Sequence, residues 1–219
     1  MKPTEEEVDA GQAVYTKRIL SAYDIIVLGI SNRYIWKCPS SQIEAHYNQH
    51  VSSNHLDVGV GTGYFLDRCR FPSETPRITL MDLNTNTLEF ASKRIGRYNP
   101  DMYQQNILEP ISTSIAQFDS VGINYLLHCL PGSIIEKATV FDRLKPVMNS
   151  GATIFGSTIL QGEVSRGWIA KKLMTLYNKK GIFSNTKDNF EGLEIALNQR
   201  FENVTLKVVG CVALFSGRA

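Results

Sequence analysis

The sequence predicts an α/β fold: a mostly parallel seven-stranded sheet with helices on both faces, an antiparallel C-terminal hairpin and an N-terminal helical cap. Three observations lead there. Short apolar runs alternate with helix-compatible segments from residue 55 onward, and a glycine cluster stands where the first of these runs turns into a helix. Near the C-terminus, two strand-like runs are separated by only Gly210 and Cys211.

Taken in order, apolar positions Val14, Ile19, Tyr23, Ile26, Val27 and Ile30 recur at helical spacing, and a second helix is expected near Pro39 with Ile43, Tyr47 and Val51 on its apolar face. These helices make residues 1–52 a cap, and residues 53–219 one core folding unit. Strands are expected at His55 to Val58, Ile78 to Met81, Met102 to Leu108, Ser120 to Leu126 and Ala152 to Leu160. Helices are expected between them, over Asn86 to Arg97 and Ser133 to Val147. Five strands joined by crossovers imply parallel pairing. A helix at Asn189 to Phe201 then leads to the hairpin strands Val204 to Val209 and Val212 to Phe215.

Composition narrows the function. The 219 residues carry 23 Lys and Arg against 21 Asp and Glu, a net charge of +2 that supplies no field for gathering a polyanion, so no nucleic-acid partner is expected. The longest uncharged stretch, between Lys145 and Glu163, contains Asn149, Ser150, Gly151, Gly156 and Ser157 and does not suit a lipid core. With Glu5, Glu6 and Glu7 in place of a basic, apolar leader, a cytoplasmic protein without a membrane partner is expected, as monomer or homodimer. Cys38, Cys69, Cys129 and Cys211 are scattered and read as buried thiols rather than metal or redox ligands.

The strongest local signal is Asp57-Val58-Gly59-Val60-Gly61-Thr62-Gly63-Tyr64. Glycines at a strand-to-helix turn permit positive φ and close approach of a ligand to the backbone. A dinucleotide fingerprint spaces its glycines GxGxxG, whereas this loop reads GxGxG with Tyr64 at the last position. Asp57 beside the loop repels phosphate and suits a ligand bearing cationic or amine groups. Asp82, nineteen positions after Gly63 and at a strand end, is placed to accept from two ribose hydroxyls; its alternative role is to cap the following helix.

These residues resemble the class I S-adenosylmethionine-dependent methyltransferases, closely over Asn54 to Leu130 and more loosely beyond. The glycine loop is similar to that family's first motif, and Asp82 to its ribose-binding acid. Asn106 in Gln105-Asn106-Ile107-Leu108 falls where many members carry an Asp beside the adenine amino group, and an amide oxygen still accepts there. Phe118 to Gly132 resembles the fourth strand and the loop after it, and Leu144-Lys145-Pro146 before Gly151 resembles the entry to the fifth. The resemblance implies a Rossmann-like fold and S-adenosyl-L-methionine as cofactor. It further implies cofactor contacts from Tyr23, Asp57, Gly59, Gly61, Gly63, Asp82, Leu83, Asn106, Ile107 and Asn124.

Methyl transfer from a sulfonium is an in-line displacement that needs alignment, dryness and only sometimes a base. His128, just after the fourth strand, is the candidate catalytic base and a substrate contact; its alternative is a loop histidine that moves no proton. Tyr15, Trp36 and Trp168 are further candidate substrate contacts. His46 and His50 lack the third ligand of a metal site, so no metal is expected. The fourth strand continues Asn124-Tyr125-Leu126-Leu127 and lacks the Asn/Asp-Pro-Pro-Tyr element that in this superfamily accompanies methylation of planar nitrogens. The expected acceptor is thus a small molecule, and resemblance to biosynthetic-cluster enzymes suggests a secondary metabolite. The alternatives are a methyltransferase-fold protein that transfers no methyl, and a protein or RNA methyltransferase.

Overall fold

A computed structural model describes residues 24–112 and 115–219. In chain order its regular elements begin with a π-helix at Asp24–Ile35, α1 at Ser40–His50, β1 at Asn54–Val58, α2 at Tyr64–Arg68 and β2 at Arg77–Asp82. Next come α3 at Thr85–Arg94, β3 at Asp101–Gln104, β4 at Phe118–Asn124, α4 at Ile134–Lys137, α5 at Thr139–Leu144 and β5 at Met148–Ile159. The chain closes with α6 at Trp168–Lys179, α7 at Phe190–Asn198, β6 at Glu202–Val209 and β7 at Val212–Arg218.

The seven strands form one sheet in the order β3-β2-β1-β4-β5-β7-β6. β1 to β5 run parallel, and β7 pairs antiparallel with both β5 and β6. The Rossmann-like α/β architecture with a C-terminal hairpin is therefore present. Connections from β1 run outward to β2 and β3, whereas the chain returns to the other side of β1 as β4, so the order in which strands are added reverses between β1 and β4. Open α/β sheets hold ligands at such a reversal, beyond the carboxyl ends of the strands.

The pattern of burial explains why these strands form. Leu56 and Val58 of β1 and Val121 and Ile123 of β4 are almost fully enclosed on one face, and His55, Asp57 and Ser120 on the other, as a central parallel strand requires. Each such aliphatic side chain contributes roughly 1.5–3 kcal/mol by leaving water. Tyr47 of α1 is buried against Phe155, and its hydroxyl lies 2.7 Å from His55 Nε2, which seals this helix to the sheet.

Three expectations are corrected. The first cap helix, where it is described, is wound wider than α: the Trp36 N–H donates to the Ser31 carbonyl five residues back. The third strand ends at Gln104, because the Asn106 side chain accepts from the Leu108 N–H and turns the chain out of the sheet. The helix expected over Ser133 to Val147 is broken into α4, α5 and a 3₁₀ turn at Lys145–Val147 with Pro146 in its first turn. Its start is firm, since Ser133 and Glu136 form a reciprocal capping box.

Candidate functional site

Two cavities meet at the reversal. The larger opens over about 760 Å³, its solvent-exposed mouth included, and is bounded by the carboxyl ends of β1 and β2, the Gln105–Ile107 turn and the segment Tyr125 to Pro131. The smaller, about 460 Å³, is walled by Leu28, Asp57, the glycine loop and Asn124. Gly59, Gly61 and Tyr125 line both, so the two are compartments of one site.

The loop's three glycines have different reasons to be glycine. All adopt positive φ, +70° at Gly59, +52° at Gly61 and +70° at Gly63. A Cβ on Gly59 would stand 2.9 Å from Leu126, and one on Gly63 would stand 3.1 Å from Ala91 of α3. A Cβ on Gly61 would meet no atom of the described residues within 4 Å, so the backbone there faces open space that a ligand can enter. Gly63 lines neither cavity; its absent side chain lets α3 pack.

Asp82 ends β2 on the floor of the larger compartment. One carboxylate oxygen accepts from the Asn84 N–H at 2.9 Å. Burial pushes its carboxyl above the ordinary value, opposed by hydrogen bonds from Asn84, the Thr87 hydroxyl and the Gly61 and Val60 amides. Capping α3 falls instead to Asn84, whose side chain accepts from the Asn86 N–H. Leu83, Asn106 and Ile107 complete this wall.

Asp57 is buried beneath the smaller compartment, where the Tyr47 hydroxyl donates to it at 3.3 Å. Across from it, Asn124 Oδ1 accepts from the Ser157 hydroxyl at 2.9 Å, whereas Asn124 Nδ2 is buried with no hydrogen-bond partner among the described residues. Asp57, Gly59, Gly61, Asp82, Leu83, Asn106, Ile107 and Asn124 are thus brought together as expected from the sequence. Tyr15 and Tyr23 lie outside the described residues.

Three expected residues stand elsewhere. Trp36 is 2% exposed and packs 5.9 Å from Phe183 in a core cluster with Cys38 and Cys211, so it contributes to the interior rather than to a substrate surface. Trp168 starts α6 and is 70% exposed, with the Lys172 ammonium over its ring, and it lines neither compartment. His128 is 3% exposed and sits behind the wall, 4.6 Å from the Phe183 ring and 5.5 Å from the Tyr125 ring. Its Nδ1 accepts from the Ile159 N–H at 3.3 Å. Burial, assisted by the nearby Lys137 charge, lowers its pKa to about 3, which makes it a poor proton acceptor at neutral pH.

Sequence reasoning passed over Tyr125, Thr62 and Arg94. Tyr125 follows β4 directly with φ +57°, unusual for a bulky residue, and its hydroxyl donates to Asn32 at 2.9 Å. Thr62 donates to Asp24 at 2.6 Å, and Arg94 bridges Asp24 and Asp67, tying the described end of the cap to the glycine loop. An aromatic residue immediately after the fourth strand was the available signal for Tyr125; the ion pairs had none.

A model of a methyltransferase domain matches residues 56–154, from within β1 into β5. The chain is 43% identical over 192 residues to the putative uncharacterized protein YbcY of Escherichia coli (strain K12), covering 86% of this chain and 97% of the relative. It is 38% identical over 211 residues to demethylluteothin O-methyltransferase of Streptomyces thioluteus, covering 96% of this chain and 92% of the relative. In fold it is similar to the N-methyltransferase NodS from Bradyrhizobium japonicum WM9, solved in complex with S-adenosyl-L-homocysteine. That match has a TM-score of 0.60 at 14% identity and covers 96% of this chain and 98% of the other.

Proposed function

Since the chain belongs to the class I S-adenosylmethionine-dependent methyltransferases, we propose that its paired compartments hold the cofactor lengthwise and present it to a hydroxyl of a small secondary metabolite. The observation that carries this reading is the sharing of Gly59, Gly61 and Tyr125 by the two compartments, with Asp82 at the floor of one and Asp57 at that of the other.

The residues fit the cofactor. The open backbone at Gly61 is a cradle that a Cβ would narrow, and Asn124 Nδ2, without a partner among the described residues, is a donor available to a ligand acceptor. Asp82 would accept from the ribose hydroxyls, Asn106 and Ile107 would border the adenine, and Asp57 with Asn124 would border the amino-acid end. When bound, the cofactor supplies an electrophilic methyl group on a positively charged sulfur. The apolar walls Met81, Ile107, Leu126 and Leu130 keep water from competing with the acceptor. Catalysis rests on alignment and dryness, and His128 serves by holding the wall. A hydroxyl acceptor is favoured by the relative named an O-methyltransferase, which aligns along nearly the whole chain. The same reading takes the protein to be a cytoplasmic monomer or homodimer, in which Leu28, from the described part of the cap, borders the smaller compartment.

Calorimetric titration with S-adenosylmethionine, S-adenosylhomocysteine and NADH tests the cofactor assignment. Micromolar binding of both adenosyl ligands without NADH is expected; no adenosyl binding would refute it. Transfer of label from methyl-labelled S-adenosylmethionine to a panel of phenols and enols, but not to protein or RNA, is expected for the acceptor class.

A further inference from the structure

The tyrosine that closes β4 stands where the two compartments join. Among the described residues, Tyr125 is the one with a side chain that lines both, the other shared positions being Gly59 and Gly61. If the ribose lies at Asp82 and the amino-acid end at Asp57, the sulfur, bonded between those parts, falls at this junction. We infer that the Tyr125 ring faces the sulfonium and distinguishes the charged cofactor from its neutral thioether product, and that Asn32 is the positioning residue that fixes the ring.

This inference rests on the cofactor assignment above. An aromatic face attracts a cation and gains little from an uncharged sulfur, so a ring at the junction favours the substrate form over the product form. The ring is held from several sides. The Tyr125 N–H donates to the Ser157 carbonyl at 2.8 Å, and the ring packs edge-on against His128. Its hydroxyl donates to Asn32 Oδ1, while Asn32 Nδ2 donates to the Ser40 hydroxyl at 2.9 Å, which in turn donates to the Leu28 carbonyl. Asn32 is fully buried, so its amide has little freedom to leave these partners. The left-handed backbone of a non-glycine residue at this point is the kind of local strain that functional sites retain. The relay also joins the junction to the cap, because Leu28 lines the smaller compartment.

The test is the ratio of affinities for S-adenosylmethionine and S-adenosylhomocysteine, measured by calorimetry on variants whose fold is checked by circular dichroism. Tyr125→Leu is expected to lower the preference for the charged ligand about three- to ten-fold. Tyr125→Phe keeps the ring but cuts its tether, and Asn32→Leu cuts the same tether from the other side. Each is expected to lower the preference less than Tyr125→Leu, and the double variant no further than either alone. A residue that merely supports the fold would weaken both ligands alike, so an unchanged ratio in Tyr125→Leu overturns the role of the ring. Additive losses in the double variant overturn the role of Asn32, and Tyr125→Phe remains informative should Asn32→Leu fail to fold. Wild-type protein that binds neither ligand would refute the cofactor assignment instead, which separates the two failures.

Discussion

Two buried polar centres among the described residues differ in what surrounds them. One is the junction of Asp57, Asp82, Asn124 and the glycine loop. The other lies where α4 meets the 184–188 loop: Lys137 donates to Asp188 and to the Ser184 carbonyl, each at 2.6 Å, with both charged side chains fully enclosed. Both centres shift proton affinities. Burial raises Asp82, and it raises Asp188 to about 6 against the pull of Lys137. Only the first opens onto a cavity edged by glycine backbone. A displaced proton affinity therefore reports burial, and a binding site needs space as well.

The largest effect that would sharpen this contrast is on stability. Lys137→Met leaves Asp188 as an unpaired buried charge and is expected to cost about 3–5 kcal/mol in urea unfolding, with the affinity for S-adenosylhomocysteine unchanged. Replacing both partners, Lys137→Met with Asp188→Leu, should recover most of the loss. Weakened ligand binding in the double variant would break the separation between the two centres.

Asp82→Ala is the opposite case. It should weaken binding of S-adenosylhomocysteine by roughly 1–3 kcal/mol through lost ribose hydrogen bonds, with a smaller change in unfolding midpoint. Unchanged affinity in a folded variant would remove Asp82 from the site.

The smallest effect is confined to acid. His128 titrates near 6.5 when unfolded and about 3 when folded, so its contribution to stability is intact above pH 6.5 and is lost as pH falls from there toward 3. His50, lowered to about 4, acts in the same direction. His128→Gln keeps an acceptor for the Ile159 amide and should flatten the acid slope, a difference on the order of 1 kcal/mol at about pH 5.5 in thermal melts. An unchanged slope would show that the imidazole is not held neutral.

The parts of the fold visible in the sequence are those where local pattern and burial agree. Ile78 to Met81 forms a strand because both faces of a central parallel strand are enclosed. Ile107 and Leu108 look the same in sequence, yet they extend no strand, because Asn106 turns the backbone and leaves Ile107 in the cavity wall. The glycine loop was legible as a turn with positive φ, but sequence spacing does not distinguish a glycine that faces open space, as Gly61 does, from one crowded by Ala91. Trp36 belongs to the core and not to a substrate surface, a distinction the sequence does not carry because an aromatic residue in a cap suits a lid or a core equally and only packing against Phe183 decides between them. Lys137 gave no signal, since its partner lies fifty-one positions away.

The hairpin has a consequence for how the protein is made. β7 is inserted between β5 and β6, so β6 leaves the ribosome before the strand that joins it to the sheet exists. Until Val212–Arg218 follows, one side of β5 is an open edge with unpaired amides and carbonyls, and Thr205 waits for Ser216. During synthesis the nascent chain is therefore most prone to pair with a neighbour in that interval, when the cofactor-binding half is already complete.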